Sequence, residues 1–488
     1  MTKIDNINTK GKVINNLAWK LMERGGVQGI QFIVQIVLAR VLSPDDYGII
    51  SLITIFIALS NVFIQSGFNT ALIQKKNADE EDFSSVFYLS LLTALILYII
   101  LFFTAPFIAN FYGIKELIPV LRILSITLFF GAFNSIQNAV VSKTMQFRKL
   151  FFSSVCAVFI SGTIGIILAY LGFGVWALVV QQLLNQISIT IILWFTLKWR
   201  PKLIFSIDKI GNLFSYGWKL LVSSLIDTLY MNLRGLIVGK VYTSQMLAFY
   251  SRGEQFPQLI VSNINGSIQS VMLPTLSAEQ ENKKRVKELV RRSIVTSSFL
   301  LFPIMIGLAV VGEPLIKILL TDKWLPCVPF MQVFCLTYAL WPIHTANLQA
   351  INALGRSDIF LKLEIIKKVV GVTILIISMF YGVYAIALGG LLSGIISSFI
   401  NSYPNLKLLD YSYREQIKDI LPSLILSIGM GLIVYCILFL NLSPYLTLLI
   451  QVFTGAIVYI GLAKLFKLEC YEYLFFTIKE ILVKKNKK

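Results

Sequence analysis

Five polar residues near the start of the chain, Lys20, Arg24, Gln28, Gln31 and Gln35, recur at steps of four, four, three and four, which stacks them on one face of a helix. Two cations and three amides in this pattern offer charge and hydrogen bonds to whatever they face. The remainder of the same stretch is Leu, Val, Ile, Phe and Gly. In a bilayer such a stripe must turn towards protein or water, because an unpaired charge in hydrocarbon costs at least ~2.5 kcal/mol. A polar interior is implied. The chain lacks the residues for most covalent chemistry: its five cysteines (Cys156, Cys327, Cys335, Cys436, Cys470) have no C-x-x-C spacing and its one histidine is His344, so no metal site is expected. No G-x-x-x-x-G-K-[ST] loop is present for a nucleotide.

The elements that carry the stripe are membrane spans. Of 488 residues, 56% are hydrophobic and 14% charged, with a mean hydropathy of +0.76. Apolar runs of about 20 residues recur along the whole chain, the mark of an all-α polytopic membrane protein. Hydropathy and Gly/Pro punctuation place spans near 15–39, 47–73, 84–110, 118–141, 150–171, 174–197, 213–239, 247–277, 292–312, 326–353, 360–381, 383–403, 418–440 and 442–465. That makes about fourteen, and the first, seventh and eighth are expected to fail a strict hydropathy cutoff because of their charges. The intervals between spans leave no room for a separate soluble domain. The polar, basic start has no A-x-A-like site after its first apolar segment, which therefore reads as an uncleaved helix.

The net charge of +18 does not indicate nucleic acid, because the cations fall in loops on alternate sides of the spans. One side holds most of the 43 Lys and Arg residues, including the run KKRVKELVRR at 283–292 and the basic tail; the other holds Arg40, Lys115, Lys240, Lys317 and Lys323. This asymmetry places both termini in the cytoplasm.

The chain also repeats itself. Trp19-Lys20-Leu21 returns as Trp218-Lys219-Leu220, and at that offset the stripe falls on Lys219, Ser223, Asp227, Tyr230 and Arg234. Arg40-Val41 matches Lys240-Val241, Gln65 and Asn69 match Asn265 and Gln269, and Gly174-Val175-Trp176-Ala177 matches Gly382-Val383-Tyr384-Ala385. Six spans repeat in the same orientation. The expected organisation is an N-lobe over 1–205 (spans one to six), a C-lobe over 206–410 (spans seven to twelve), and a C-terminal piece over 411–488 with two peripheral spans and the basic tail. Parallel repeats of this kind enclose a central cavity, with access alternating as the lobes rock.

The segments LARVLSPDDYG (38–48), LIVGKVYTSQMLAFYSRGEQFPQL (236–259), VMLPTLS (271–277), LLTDKWLPCVPFMQVF (319–334) and ALGRSDIFLKLE (353–364) together resemble the Wzx-type lipopolysaccharide and polysaccharide flippases of the multidrug/oligosaccharidyl-lipid/polysaccharide exporter superfamily. The similarity covers essentially the whole chain. It implies a bacterial inner-membrane transporter that moves undecaprenyl-diphosphate-linked oligosaccharide units to the outer leaflet for surface polysaccharide, without hydrolysis. It also implies membrane lipids, a polysaccharide polymerase and assembly proteins as partners, and no cofactor. In related sequences the position of Arg234 is often acidic, so a cation-coupling role there is not carried over.

A lipid diphosphate needs cations at depth, and Arg offers two phosphate oxygens a planar fork whose charge survives burial. Arg24 lies about 14 Å into its span, near the midplane, and Arg234 lies towards the outer end of the seventh. The expectation is a ladder in which Lys20 and Lys219 attract the diphosphate, Arg24 holds it and Arg234 receives it; the bland alternative is that Arg24 pairs or snorkels and Gly25, Gly26 and Gly29 make a packing seam. Asp227, Glu254 and His344 are candidates for coupling to H⁺ or Na⁺, Asp227 being read equally as a neutraliser of its own helix's cations and His344 as a packing residue. Gln28, Gln31, Gln35, Gln65, Asn69, Asn134, Asn138, Gln255, Gln258, Ser262, Asn265, Gln269, Asn347 and Asn352 are read as sugar-compatible cavity lining, or as interhelical hydrogen bonds. Pro257, Pro274, Pro303 and Pro342 are expected to bend their spans. The rival readings are a multidrug or cation antiporter, a membrane polymerase or ligase, and a non-transporting assembly scaffold. The excess of cations over acids on the stripes favours an anionic substrate.

Overall fold

The computed structural model describes residues 3–65, 72, 75, 78–473 and 476; within these, the side chains of residues 3–18, Leu21, Arg24, Asn212, Ser215 and Tyr216 lie outside the described set. No strand occurs among the described residues. The chain divides into two compact units, Met1–Ala248 and Phe249–Lys488.

The first unit holds α1 (Lys3–Val41), α2 (Pro44–Gln65), α3 (Glu80–Tyr112), α4 (Leu117–Leu124), α5 (Thr127–Thr144), α6 (Phe147–Tyr170), α7 (Val175–Thr196), α8 (Ile207–Val241) and the first turn of α9 (Ser244–Ala278). α6 buries Ser153, Ala157, Ser161 and Gly165, small residues every fourth position that let α7 approach closely. α1 packs on another side of α6 through Val34 and through Trp19, whose ring centroid is 5.6 Å from that of Phe151. The repeat puts a lobe boundary at 205/206, yet α8 packs against α2 and α3, and the contact boundary follows α9's first turn.

Two local devices fix α8 and α9. At one end, Asp79 caps α3 in a reciprocal box with Asp82, and the segment between α7 and α8 is pinned to that cap: Ser84 and Ser85 hydroxyls accept from the Lys202 and Ser206 amides at 3.0 Å each, and Lys209 pairs with Asp79 at 2.5 Å and Glu81 at 2.6 Å. The Lys209 ammonium holds the Asp79 carboxyl down at about 2, so this clasp is complete above the ordinary aspartate value of 3.8 and loosens only as pH falls from there towards 2. At the other end, the Ser-Pro-Asp-Asp-Tyr-Gly run is a junction. Ser43 and Asp46 bond reciprocally to cap α2, Asp45 accepts from the Ser244 hydroxyl at 2.9 Å, and a Cβ on Gly48 would lie 2.0 Å from the Ser244 carbonyl oxygen.

The second unit continues α9 and adds α10 (Lys283–Val310), α11 (Gly312–Leu320), a 3-10 turn (Asp322–Cys327), α12 (Val328–Ala339), α13 (Trp341–Ala353), α14 (Ser357–Ser378), α15 (Val383–Leu409), α16 (Tyr413–Cys436) and α17 (Pro444–Leu465). α16 is built into this unit: Met430 and Val434 share a core with Phe299 of α10 and Tyr459 of α17, and the Tyr459 hydroxyl donates to the Phe299 carbonyl at 2.8 Å. Further along, Asn347 of α13, Asn405 of α15 and Gln416 of α16 form a buried knot. Asn347 Nδ2 donates to Gln416 Oε1 at 2.8 Å, while Asn347 Oδ1 accepts from Asn405 Nδ2 at 2.7 Å and Gln416 Nε2 at 3.0 Å. Asn347→Ala removes both Gln416 bonds while Asn405 Nδ2 keeps the residue 347 carbonyl at 3.3 Å, and each Gln416 group left unpaired costs about 1–3 kcal/mol. The midpoint of thermal unfolding in detergent is expected to fall accordingly, and an unchanged midpoint would show that the knot contributes nothing.

The predicted spans fall largely on helix among the described residues, and the fourth and tenth are broken within their length. The fourth is α4 and α5, separated at Ser125–Ile126 without a proline, and the tenth is the 3-10 turn, α12 and α13, with Pro342 at the start of α13. Pro257 and Pro274 lie inside the continuous α9, and Pro303 inside α10. Eleven helices are long and apolar enough to cross a membrane among the described residues. The three remaining expected spans are α1, α9 and α14, so the seventh span clears the hydropathy cutoff that it was expected to miss, and the eleventh does not. Much of the charge of α14 is matched locally, Arg356 to Asp358 at 2.9 Å and Lys367 to Glu364 at 2.5 Å.

Candidate functional site

The described residues of the duplicated stripes are partly exposed and partly half-buried. On α1, Lys20 and Gln31 are exposed and Gln28 and Gln35 are half-buried; the side chain of Arg24 is outside the described set. At about 100° per residue the stripe sits roughly a third of a turn from the line of Trp19, Gly26 and Val34 that packs on α6. On α8, Lys219 lies about a third of a turn from the packed Leu213, whereas Asp227 and Arg234 lie within about 40° of the packed Val238. Only 6% of the apolar stretch of α8 is buried, against 28–61% for the other ten candidate spans. Lys219 and Asp227 are exposed, and Arg234 is half-buried with its guanidinium carbon 5.9 Å from the ring centre of Tyr230, one turn earlier on the same stripe.

Lys20 has its ammonium 5.2 Å from the Phe147 ring, and beside it Arg148 lies 5.5 Å from Trp19. This aromatic footing at the start of α6 holds cations by their ring faces and leaves their hydrogens available to an anion. A polar stripe on an exposed helix, with cations supported this way, is suited to binding an anion. No nucleophile–base pair lies on it, and no metal-binding cluster occurs among the described residues.

The other polar candidates separate into two groups. Gln65, Asn138, Gln258 and Gln269 are exposed on α2, α5 and α9, while Asn69 lies outside the described residues. Asn134, by contrast, is buried in the first unit, donating to Gln186 Oε1 at 2.8 Å and accepting from Thr190 Oγ1 at 2.8 Å. Asn265 is buried in the second, accepting from Thr345 Oγ1 at 2.6 Å, and Gln255 accepts from Arg252. Asn134 and Asn265 take the interhelical role, whereas the Gln255 bond stays within α9. Ser262 bonds its own helix at Leu259, Asn347 belongs to the buried knot, and Asn352 is half-buried. Glu254 accepts from the Tyr338 hydroxyl at 2.8 Å, and His344 Nδ1 lies 3.1 Å from Asn401 Nδ2, which ties both to neighbouring helices of the second unit.

One residue escapes sequence reasoning. Arg252, in the Ser-Arg-Gly-Glu run, is 7% exposed and lies 5.4 Å from the ring centre of Trp324, which is fully buried and meets Phe249 edge-on at 6.0 Å. The run and the Trp-bearing segment are thus one packing cluster. The signal was the absence of a second cation at a helical step from Arg252, which marks an isolated buried charge and not a stripe.

Taken together, the molecule is a multi-pass helical membrane protein. It belongs to the polysaccharide biosynthesis protein family, whose model matches residues 37–329. Among curated relatives, the chain is 21% identical to the lipopolysaccharide biosynthesis protein WzxC of Escherichia coli over 88% of its length and 89% of that protein. It is 22% identical to the succinoglycan biosynthesis transport protein ExoT of Rhizobium meliloti over 74% and 73%. The match to the teichuronic acid biosynthesis protein TuaB of Bacillus subtilis, 26% identical, covers 62% of each chain. Among solved structures, the lipid II flippase MurJ in its inward closed conformation superposes with a TM-score of 0.73 and 19% identity, over 94% of this chain and all of that one. An inward-facing multidrug transporter of the MATE family follows at 0.61 and 16% identity, over 82% and 99%.

Proposed function

We propose that this protein is a flippase for lipid-linked oligosaccharide, moving undecaprenyl-diphosphate-bound repeat units from the cytoplasmic to the outer leaflet of the bacterial inner membrane by alternating access. The observation that carries this reading is the pair of cation-bearing stripes on α1 and α8, on which Lys20 and Lys219 are exposed. Membership of the polysaccharide biosynthesis family, and a fold shared with a lipid II flippase, support the same substrate class. In the proposed cycle the prenyl tail stays in lipid, Lys20 and Lys219 draw in the diphosphate, Arg24 holds it at mid-depth and Arg234 receives it. Exposed amides such as Gln31 and Gln65 serve the sugars. The cycle has no hydrolytic step, and both termini lie in the cytoplasm. Asp227 is the proposed proton or Na⁺ carrier, because it alone of the three coupling candidates stands on a stripe, where ion loading and anion binding sense each other's charge. The unit delivered to the outer leaflet passes to a polysaccharide polymerase.

A deletion strain compared with its complemented parent tests the substrate class. Loss of surface polysaccharide with unchanged drug susceptibility is the expected outcome. Normal polysaccharide with raised sensitivity to cationic drugs would replace this reading with the antiporter.

A further inference from the structure

At the end of the first unit where the α3 cap sits lies a cavity of about 640 Å³, bounded by the ends of α3, α5, α6 and α7. Its charged lining is Asp79, Glu80, Lys143, Lys149 and Lys198. The acids at this end are already matched, and by lysines that do not line the cavity: Asp79 and Glu81 to Lys209, Glu80 to Lys202, and Asp82 to Lys75. Three ammonium groups are left over. Lys143 donates to the Ala78 carbonyl at 3.1 Å and Lys149 to the Thr196 carbonyl at 2.8 Å, bonds that orient them without neutralising them, and Lys198 pairs with none of these acids. The cavity therefore carries an uncompensated positive charge over an aromatic wall made by Phe83 and Trp199.

An independent feature adjoins it. The segment joining α7 to α8 continues from Lys198 and Trp199 into Leu203, Ile204, Phe205 and Ile207, which are 94%, 43%, 52% and 76% exposed. Its backbone is pinned by the Ser84 and Ser85 hydroxyls, so these exposed apolar side chains stand on a fixed support, with Arg200 in the same segment. Apolar tips next to a lysine-lined cavity at the end of a bundle of spans have the composition of a segment seated in the headgroup layer.

We infer that this end of the first unit is a binding site for an anionic glycerophospholipid: the 203–207 segment dips into the lipid surface, and the Lys143–Lys149–Lys198 cavity takes the phosphate of the headgroup. The chemistry recognised is a lipid-borne phosphate, and the bulk anionic lipid of the membrane is its source. This site shares no residue with the α1 and α8 stripes, so it stands whether or not the transport reading does.

The test uses the full-length protein in nanodiscs of phosphatidylethanolamine with or without phosphatidylglycerol, with retained lipid counted by native mass spectrometry. Phosphatidylglycerol is expected to be retained selectively by the wild type. Lys198→Gln, which disturbs no bond described above, is expected to weaken retention about fivefold, and Lys149→Gln with Lys198→Gln about twentyfold. Leu203→Ser with Phe205→Ser is expected to speed lipid release. Equal retention of both phospholipids, or Lys198→Gln indistinguishable from wild type, would overturn the site. Stoichiometric displacement of phosphatidylglycerol by added polyprenyl diphosphate would overturn the phospholipid assignment and give the cavity to the transported lipid. A thermal melt of each variant separates lost binding from lost fold.

Discussion

Cells carrying Arg24→Gln together with Arg234→Gln are expected to lose nearly all surface polysaccharide at matched protein abundance. Each charge-assisted bond to a diphosphate oxygen contributes about 1.5–3 kcal/mol, or about ten- to a hundredfold in binding. Gln keeps one donor and roughly the same length but loses the charge and the fork. The single variants are expected to fall between wild type and the double, with Arg24→Gln the more severe because it removes the cation nearest the midplane. Lys cannot replace Arg here without loss, since a point charge does not hold two phosphate oxygens in one plane. Unchanged export in both single variants would remove the ladder from the mechanism, and an export defect matched by falling abundance would reassign the arginines to packing.

Substituting Gly48 is expected to have the largest effect on the folded state. Its added Cβ would meet the Ser244 carbonyl at 2.0 Å and the Ser244 Cα at 2.9 Å, backbone atoms that cannot swing aside as a side chain can. Relief requires α2 and the start of α9 to separate, breaking the bond from Ser244 to Asp45. Overpacking of this kind costs about 1–3 kcal/mol or more. Gly48→Ala is expected to lower the thermal midpoint and Gly48→Leu to give little folded protein by size-exclusion chromatography. Ser43→Ala, which weakens only the α2 cap, is expected to cost about 1 kcal/mol and to leave the protein monodisperse. A Gly48→Leu protein as stable as wild type would mean that the junction does not bind α9 to α2.

How much of this was readable beforehand differs from element to element. The polarity of the stripes was legible because helical periodicity records which side of a helix is polar, but the half-burial of Gln28, Gln35 and Arg234 was not. The spans were legible from hydropathy, but the breaks at Ser125 and Leu340 were not, since a window average is insensitive to where a backbone turn is interrupted. The charges of α14 disguised that span, because Lys367 and Glu364 read as polarity one at a time and cancel only when their pairing is seen. Asn134 and Asn265 read like cavity residues for the same reason: an amide facing a sugar and an amide facing Thr190 or Thr345 have identical sequences around them. The Ser-Pro-Asp-Asp-Tyr-Gly run was recognisable as a family mark, but its role depends on a contact with Ser244, nearly two hundred residues away.

The central claim is transport of an anionic lipid-linked sugar, and purified protein in sealed vesicles tests it most directly. Vesicles are loaded symmetrically with a fluorescent undecaprenyl-diphosphate oligosaccharide, and the fraction open to an impermeant quencher is followed with time. Wild-type protein is expected to make the whole labelled pool accessible, and Arg24→Gln with Arg234→Gln to leave only the outer leaflet accessible, as in empty vesicles. Wild-type vesicles that behave like empty ones in the presence of a pH or Na⁺ gradient of either sign, with folded protein verified in the same sample, would contradict the account.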